Sequence, residues 1–581
     1  MILKNKILAG LTTEQEMVCQ TMKNIYLTAC PGSGKTFTLT RRLAYLASSH
    51  LSRKWNIAIT YTNRAAEEIA TRLHVLGINQ VNIWTGTIHQ FCLKFIIRPY
   101  SMYSQRLSKG YKIIDEYVQN EYWREIAKKL GHNLNLYDDP FSFEGVKDLY
   151  LSQLESRKEI DFDQILQFSE ELVYSMSFIS ENIASILNSI LVDEFQDTNE
   201  IQYRILAKIF KANKKISLLF VGDVNQAIFG TLGGIAKSKC ELESMLETNF
   251  DKKSLTGCYR STQNIIDFYK NFEIESTGVN SVASIKNEIG KLKYCFSTTE
   301  EQLPKQIALI INSELDSGVS PEEICVVAPQ WALLFNLTPK LREMLPTVLF
   351  DAPDISPIKY DPLNPFFLIS RLVFTKPGQN VAFRKKIVLE LITILKDDYE
   401  VLIPKTIDYY SILLTINLSV DSNEDGLYVL QNSIKALFKL LKIQVENEKK
   451  LIETQLHFFN KIDDRINRYK IPTDYLSISK FFNERKGVVL STVHGIKGEE
   501  YTTVIAFALL NGIMPNWNFI LKDELKPRRL IDTKKLLYVL CSRAKKNIYL
   551  FSEQGRKTKK DDVYTPTDEL LAVINKISMM F

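Results

Sequence analysis

The sequence predicts an α/β protein with two parallel-sheet domains, each interrupted by a mainly helical insertion. Short apolar segments recur along the chain, and several end at an acidic residue, as strands do at the carboxyl edge of a parallel sheet. A glycine-rich loop and then helical spacing follow the first of these segments. The length of 581 residues also exceeds the roughly 250–300 residues at which single hydrophobic cores stop growing.

The first unit alternates predicted strands with predicted helices. The predicted strands are residues 25–28, 57–60, 190–192 and 218–221, and the predicted helices are residues 37–46 and 63–73. Residues 95–187 lie between the second and third of these strands and have mainly helical periodicity. We therefore interpret them as an insertion into the first sheet.

A second α/β unit follows the CYRS block. Its predicted strands are residues 324–328, 488–491, 504–508 and 548–551. A second mainly helical insertion interrupts it at residues 376–479. The resulting domain ranges are 1–94 and 188–260 for the first sheet domain, 95–187 for its insertion, 261–375 and 480–581 for the second sheet domain, and 376–479 for its insertion.

Composition excludes several classes of protein. The net charge of +6 is mildly basic, which permits nucleic-acid binding without proving it. Eight cysteines without a CxxC pair argue against a disulfide framework and against a zinc site. The N-terminus lacks a signal-peptide pattern, and no apolar run reaches the roughly 18 residues of a membrane span. We expect a cytoplasmic protein with no membrane partner.

The block ACPGSGKT, which ends at Thr36, follows a predicted strand and precedes a predicted helix, as a phosphate-binding loop does. Its small residues Gly32, Ser33 and Gly34 allow backbone N–H groups to face phosphates, and the helix N-terminus adds a favourable dipole. Lys35 is expected to contact the β- and γ-phosphates of ATP, and Thr36 to bind Mg²⁺. Because the block begins with alanine rather than glycine, an ordinary glycine turn is the alternative.

Carboxylates and cations elsewhere in the chain suit ATP hydrolysis. Adjacent carboxylates at a strand end can divide the work, with Asp193 holding Mg²⁺ and Glu194 polarising the attacking water. The amide of Gln226 is able to hydrogen bond both that water and the γ-phosphate. Arg260 and Arg543 are candidate clamps for charge on the transferred phosphoryl group. In isolation the acidic pair would be a solvated strand end and either arginine a surface residue.

Aromatic and basic residues after the predicted strands suggest a surface for single-stranded nucleic acid. Tyr61 and Phe229 offer ring faces on which bases stack, and Arg64 adds positive charge. Ordinary packing is the alternative for either aromatic residue. The further residues assigned to this DNA-binding surface are Asn63, Thr87, His89, Thr492 and His494.

Six blocks occur in one order: ACPGSGKT, LVDEFQD, FVGDVNQAIFG, CYRS, STVHGIKGEEY and LYVLCSRAKKN. Together with LTTEQEMV, AITYTNRAAEEI and GTIHQFC, they resemble the motifs of the UvrD/Rep/PcrA family of superfamily 1 helicases. The resemblance implies two RecA-like domains and ATP-driven 3′-to-5′ translocation on DNA. It also implies that Gln15 reads adenine, Tyr259 stacks on it, Glu500 holds the ribose, and Lys497 lies in the motif linked to the γ-phosphate.

Three departures separate the chain from this family pattern. Phe37 stands where the family usually has arginine, and Thr231 and Leu232 stand where it usually has tryptophan and arginine. That tryptophan is the family's strongest base stacker, and a lost stack weakens single-strand binding by about 1–3 kcal/mol. The second insertion is also short, and only about thirty residues follow Phe551, so we expect no C-terminal nuclease domain.

Two functions from different classes remain open. The first is a DNA helicase or translocase that couples hydrolysis of Mg·ATP to movement on single-stranded or partly duplex DNA. The second is a DNA-sensing regulatory ATPase that controls a separate nuclease subunit and unwinds weakly by itself. Compact UvrD-like members of bacterial antiphage systems such as Gabija are similar to this second type.

Overall fold

The first α/β domain is built on a six-stranded parallel sheet. Its strands are β1 (Ile25–Ala29), β2 (Trp55–Thr60), β3 (Ile83–Thr87), β4 (Leu187–Asp193), β5 (Ser217–Gly222) and β6 (Asp251–Leu255). In the computed structural model they lie in the order β3-β2-β4-β5-β1-β6. Because β4, β5 and β1 are neighbours and all parallel, their carboxyl ends meet at one edge of the sheet. This edge carries the glycine loop and the first acidic residues.

The structure describes residues 2–49, 53–78, 82–132, 139–230, 233–352, 358, 361, 363–375, 377, 381–443, 448–469, 471–482, 487–521, 526–558 and 561–578. Thr231 and Leu232, which depart from the family pattern, lie outside these described residues. Within them, no helix combines the length and apolar character needed to span a bilayer.

Helices cover both faces of the first sheet. They are Ile2–Leu8, Thr13–Gln20, Lys35–Ser49, Asn63–Val75, Ile88–Cys92, Phe162–Ser175, Ser177–Ile186, Glu200–Ala212 and Lys239–Leu246, with a π-helical turn at Leu93–Ile97 and a further turn at Arg98–Tyr100. The helices between β3 and β4 do not all leave the sheet, because Ile165, Leu172 and Ile183 share one core with it.

The part of the first insertion with its own core is smaller than the sequence range 95–187. The helices Glu116–Lys129 and Val146–Arg157 enclose a separate apolar cluster between Ile114 and Leu154. A short parallel pair, Lys112–Ile113 with Glu159–Ile160, closes its base. The insertion therefore leaves the sheet domain and returns to it at adjacent points.

The second α/β domain repeats the parallel arrangement. Its strands are β7 (Leu292–Cys295), β8 (Ile324–Ala328), β9 (Phe350–Asp351), β10 (Val488–Thr492), β11 (Tyr501–Ala506) and β12 (Ala544–Phe551). They lie in the order β7-β12-β11-β8-β10-β9. Its helices are Gln263–Tyr269, Leu303–Asp316, Trp331–Met344, Trp517–Leu521, Arg529–Cys541 and Asp568–Ser578. The expected fold class, with two parallel-sheet α/β domains, is confirmed.

The second insertion is helical and has a core of its own. Its helices are Pro365–Val373, Val381–Asp397, Tyr409–Ser419, Gly426–Leu441, Lys449–Tyr469 and Tyr475–Ser479. The shared apolar cluster begins at Ile358 and includes Phe366 and Leu372. This core therefore starts before residue 376, which is the first residue of the second insertion as predicted from the sequence.

Candidate active site

The glycine loop connects β1 to the helix Lys35–Ser49. Gly32 and Gly34 have φ angles of +70° and +77°, in the left-handed region that favours glycine. A Cβ on Gly32 would also lie 2.6 Å from the Cβ of Arg260. Ser33 is buried, and its hydroxyl donates to the carbonyl of Cys30 at 2.8 Å. The loop therefore needs small residues for its backbone conformation and for the close approach of Arg260.

Gln15 is packed against this loop. Its Oε1 accepts a hydrogen bond from the backbone N–H of Thr12 at 3.1 Å, which forms a capping box at the start of the helix Thr13–Gln20. Its Nε2 donates to the carbonyl of Ser33 at 3.3 Å. The side chain is thus buried beside the phosphate loop, where it supports the loop backbone.

Thr36 and Asp193 meet at the carboxyl edge of the first sheet. The Thr36 hydroxyl donates to Oδ2 of Asp193 at 3.3 Å. Burial, together with the charge of Glu194, raises the pKa of Asp193 to about 7. A hydroxyl and a carboxylate are oxygen ligands of the kind that Mg²⁺ uses beside phosphates. This pair, next to the glycine loop at the start of the helix Lys35–Ser49, fits a divalent cation with a bound nucleoside triphosphate.

Glu194 begins the turn after β4 and has a positive φ of 51°. Its carboxylate accepts a hydrogen bond from the amide of Gln196. Burial raises its pKa, but Lys35, Lys497, the Gln196 hydrogen bond and Arg543 together hold that pKa below the usual range. The half-buried carboxylate is therefore kept ionised, as a base must be.

Gln226 is held between the two domains. Its Nε2 donates to Oδ2 of Asp223 at 2.8 Å within the first domain. Its Oε1 accepts a hydrogen bond from Nη2 of Arg543 at 2.7 Å. Arg543 follows the helix Arg529–Cys541 of the second domain and is 2% exposed. Burial and the nearby charge of Arg260 lower the pKa of this guanidinium to about 10.

Lys497 makes a second bridge between the domains. Its ammonium lies 2.8 and 2.6 Å from the two carboxylate oxygens of Asp197, and it also donates to the carbonyl of Gln226 at 2.6 Å. Burial raises the pKa of Asp197 to about 7 against the opposing effect of this cation. Lys497 is therefore occupied by protein oxygens in this structure.

Arg260 and Tyr259 lie at the mouth of the same cleft. Nε of Arg260 donates to Oε2 of Glu500 at 2.7 Å, and Nη1 donates to the carbonyl of Ser542 at 2.9 Å. The backbone N–H of Tyr259 donates to the carbonyl of Gly32, while the residue as a whole is 47% exposed. An exposed ring anchored to the phosphate loop is suitably located to stack on a purine.

The predicted strand-binding aromatics lie together. The rings of Tyr61 and Phe229 are stacked at 5.0 Å, and His494 of the second domain lies 5.7 Å from Phe229. The ammonium of Lys497 lies over Phe229 at 4.8 Å. Burial lowers the pKa of His494, which favours the neutral imidazole. This aromatic cluster directly adjoins the buried Lys497–Asp197 pair.

The remaining predicted strand contacts have structural partners. Nη1 of Arg64 donates to Oε1 of Glu499 at 2.7 Å. Thr87 caps the helix Ile88–Cys92, and His89 packs edge-on against Phe162. Thr492 is buried and accepts from the backbone N–H of Gly495. Asn63, in contrast, has a buried Oδ1 without a hydrogen-bond partner among the described residues.

Four functional contacts were missed by the sequence analysis. The residues involved are Gln196, Asp197, Asp223 and Glu499, which bond Glu194, Lys497, Gln226 and Arg64 respectively. Each lies inside a motif that was recognised, so their polar character was visible in the sequence. The partners Lys497 and Arg64 are 300 and 435 residues away from Asp197 and Glu499, so the sequence alone did not identify these two contacts. Glu194 and Gln226 are only two and three residues from Gln196 and Asp223, but the side-chain orientations that join them are set by the folded turns.

This site has the parts of a phosphate-loop ATPase that uses two sheet domains, and sequence comparisons agree. The family described as UvrD/REP helicase N-terminal domain matches residues 11–144 and 140–238, and the UvrD-like helicase C-terminal domain matches residues 379–555. The chain belongs to the UvrD/Rep/PcrA family of superfamily 1 helicases, a family of ATP-hydrolysing enzymes.

Two PcrA relatives cover nearly the whole chain, and a third covers less than half of it. The ATP-dependent DNA helicase PcrA of Bacillus subtilis is 23% identical over 95% of this chain and 84% of that protein. The protein of the same name from Staphylococcus epidermidis is 22% identical over the same shares. A PcrA helicase of Leuconostoc citreum is 28% identical over 44% of this chain and 38% of that protein.

Proposed function

We propose that this protein is an ATP-dependent DNA helicase or translocase that moves 3′ to 5′ along single-stranded DNA. The observation that carries the proposal is the contact between Arg543 and Gln226, at 2.7 Å across the domain cleft. This contact lies beside the carboxylates of Glu194 and Asp223. A catalytic group supplied by the opposite domain makes hydrolysis sensitive to domain closure.

The residues divide the hydrolytic work by their chemistry. Lys35 and the loop N–H groups would bind phosphates, and Thr36 with Asp193 would hold Mg²⁺, which neutralises phosphate charge when bound. Glu194 is kept ionised and suits the role of general base towards water. Gln226 would orient that water and form a hydrogen bond with the γ-phosphate.

Cations and purine contacts complete the proposed nucleotide site. Arg260 and Arg543 would stabilise charge on the transferred phosphoryl group. Lys497 would exchange its contacts with Asp197 for the γ-phosphate. Gln15 and Tyr259, which both contact the phosphate loop, would reach the adenine, and Glu500 would hold the ribose.

The cluster of Tyr61, Phe229 and His494 would form the track for the DNA strand. Stacking on aromatic rings accepts any base, so binding would not depend on sequence. The buried, unpartnered Oδ1 of Asn63 supports a ligand at the start of the helix Asn63–Val75. Arg64, Thr87, His89 and Thr492 would be contacts in the same groove, made after their present partners are released.

One sequence feature favours a second candidate function. The family usually has tryptophan and arginine at the positions of Thr231 and Leu232. These two residues supply neither the aromatic face nor the positive charge of that pair. Weak gripping of the strand suits a DNA-sensing regulatory ATPase that controls a separate nuclease, as in Gabija-like antiphage systems. Such a subunit would hydrolyse ATP in response to DNA and separate strands poorly.

Parallel measurements of ATP hydrolysis and strand displacement test the proposal. ATP hydrolysis is measured with single-stranded, forked and blunt duplex DNA, with single-stranded RNA of the same sequence, and without nucleic acid. Strand displacement is measured on the same DNA substrates, and Lys35→Ala serves as the control for contaminating activity. Stimulation by single-stranded DNA with displacement of the fork supports a helicase. Stimulation without displacement supports the regulatory ATPase, and no stimulation by any nucleic acid contradicts both.

A further inference from the structure

The turn that leads into β11 contacts both the candidate ATP site and the candidate strand surface. Within four residues, Lys497 binds Asp197, Glu499 binds Arg64, and Glu500 binds Arg260. Each residue is at least 240 residues from its partner in sequence, since Glu500 and Arg260 are separated by 240 residues and the other two pairs by 300 and 435. Movement of this turn therefore changes several contacts across the cleft together.

The pair formed by Arg64 and Glu499 is the exposed member of this set. The two side chains approach to 2.7 Å, and their exposed fractions are 79% and 20%. Arg64 is the second residue of the helix Asn63–Val75 and lies close in sequence to Tyr61, whose ring belongs to the aromatic cluster. The carboxylate of Glu499 thus holds the cation that the strand surface would offer to a phosphate.

Glu499 is also tied to the hydrolytic residues by its backbone. Its carbonyl accepts a hydrogen bond from Nη1 of Arg543 at 3.4 Å, while Nη2 of the same guanidinium donates to Gln226. The hydroxyl of Tyr501 donates to the second carboxylate oxygen of Glu499. One residue therefore contacts Arg64 on the strand side and Arg543 on the ATP side.

We propose that Glu499 occupies the position of a strand phosphate on Arg64 and is displaced when single-stranded DNA binds. Glu499 is then a positioning residue: in the DNA-free protein it holds the turn in place, and its release allows Arg543 to shift relative to Gln226. This proposal rests on the proposed function, because it requires that the groove beside Tyr61 binds a strand. It adds the contact by which DNA raises ATP hydrolysis.

The expected size of the effect follows from exposure. Solvent-exposed ion pairs contribute little, so their loss changes an equilibrium by about 1.5- to 5-fold. A strand phosphate is therefore able to replace Glu499 as the partner of Arg64. The pair of Lys497 and Asp197 is buried, and a strand phosphate would not easily break it. When a strand phosphate replaces Glu499 on Arg64, one contact between the protein and a phosphate is formed. For single strands, each such contact makes the fall of log affinity with log salt concentration steeper by about 0.7.

The test uses the full-length protein with Glu499→Gln, Arg64→Ala and the double variant. Affinity for a fluorescent oligothymidylate of about 20 nucleotides, a length that exceeds one binding site, is measured by anisotropy at several salt concentrations. ATP hydrolysis is measured with and without the same strand. Glu247→Gln is the matched control, because it removes a carboxylate from an exposed pair with Lys211 on the first domain.

Glu499→Gln is expected to bind the strand about 1.5- to 5-fold more tightly and to hydrolyse ATP faster without DNA, so that stimulation falls. Arg64→Ala is expected to reduce the salt slope by about 0.7, and Arg64→Lys to retain the slope. In the Arg64→Ala background, Glu499→Gln should no longer improve binding. An equal improvement in both backgrounds would overturn the proposal, because Glu499 would then act by general repulsion.

The wild-type protein distinguishes this failure from failure of the proposed function. If wild type binds the strand and Glu499→Gln matches wild type in affinity and DNA-free hydrolysis, the proposal for Glu499 is wrong while the proposed function stands. If wild type neither binds the strand nor responds to it, both are wrong. Glu247→Gln should behave as wild type in each measurement.

Discussion

Replacement of Lys497 by methionine tests the bridge between the two sheet domains. In wild type the Lys497 ammonium lies 2.8 and 2.6 Å from the Asp197 carboxylate oxygens, and the two side chains are 8% and 0% exposed. Methionine keeps most of the side-chain volume and removes the charge. Asp197 is then a buried carboxylate without its cation, a change that typically destabilises a protein by about 3–5 kcal/mol.

The loss should depend on pH in a defined direction. The pKa of Asp197 is 3.8 ordinarily and about 7 in the folded protein, so the unfolded chain holds fewer protons between these values. Stability therefore falls as pH rises from about 4 to 7 through this group. Without Lys497 the folded pKa rises further, so the fall continues above pH 7. The difference between Lys497→Met and wild type should be largest at pH 8 and smaller at pH 6.

Thermal unfolding at pH 6 and pH 8 measures this difference. At pH 8 a loss of 3–5 kcal/mol corresponds to a decrease in Tm of roughly 6–20 °C for a unit of 150–250 residues. The double variant Asp197→Asn with Lys497→Met removes both charges and should regain much of the lost stability. The reasoning is refuted if the double variant is as unstable as Lys497→Met, or if the Tm difference from wild type is equal at both pH values.

Three further predictions concern the nucleotide and the strand. Glu194→Gln should keep ATP binding but reduce hydrolysis by at least about a hundredfold, the scale of a lost general base. Gln15→Ala should weaken ATP binding and reduce the preference for ATP over GTP, because it removes the amide beside the phosphate loop and the capping box with Thr12; titrations with both nucleotides measure this. Thr231→Trp should strengthen single-strand binding by at most about 1–3 kcal/mol, measured by anisotropy, because it adds one stacking face.

Each of these predictions has a contradicting result. Near-normal turnover of Glu194→Gln would show that Glu194 is not the general base. Asp197→Asn is unsuitable as a control for the loss of a nearby carboxylate, because Asp197 binds Lys497. Equal use of ATP and GTP by the wild type would show that Gln15 and Tyr259 do not read the base. Unchanged affinity of Thr231→Trp, with Thr231→Leu as the non-aromatic control, would show that this position does not contact the strand.

The sequence by itself predicted the class of fold because the patterns that indicate strands and their ends lie within short segments of the chain. Apolar strand segments followed by glycine or acidic residues indicate a parallel sheet, and residues 324–328 were predicted with the bounds that β8 has. The strand β6, by contrast, contains Lys252 and Lys253, and β7 and β9 are short. These edge strands are only partly apolar, so their sequences lack the signal that identifies a buried strand.

The motifs also determined which residues assemble at the candidate site, since the carboxyl ends of β1, β4 and β5 adjoin in a parallel sheet. Only the tertiary structure decided their partners. Lys497 donates to the carboxylate of Asp197, and Arg64 donates to the carboxylate of Glu499. The rings of Tyr61 and Phe229 stack on each other. Such contacts form between segments separated by more than 160 residues, and their geometry is set by how the two sheets pack. No local pattern in the sequence records that packing.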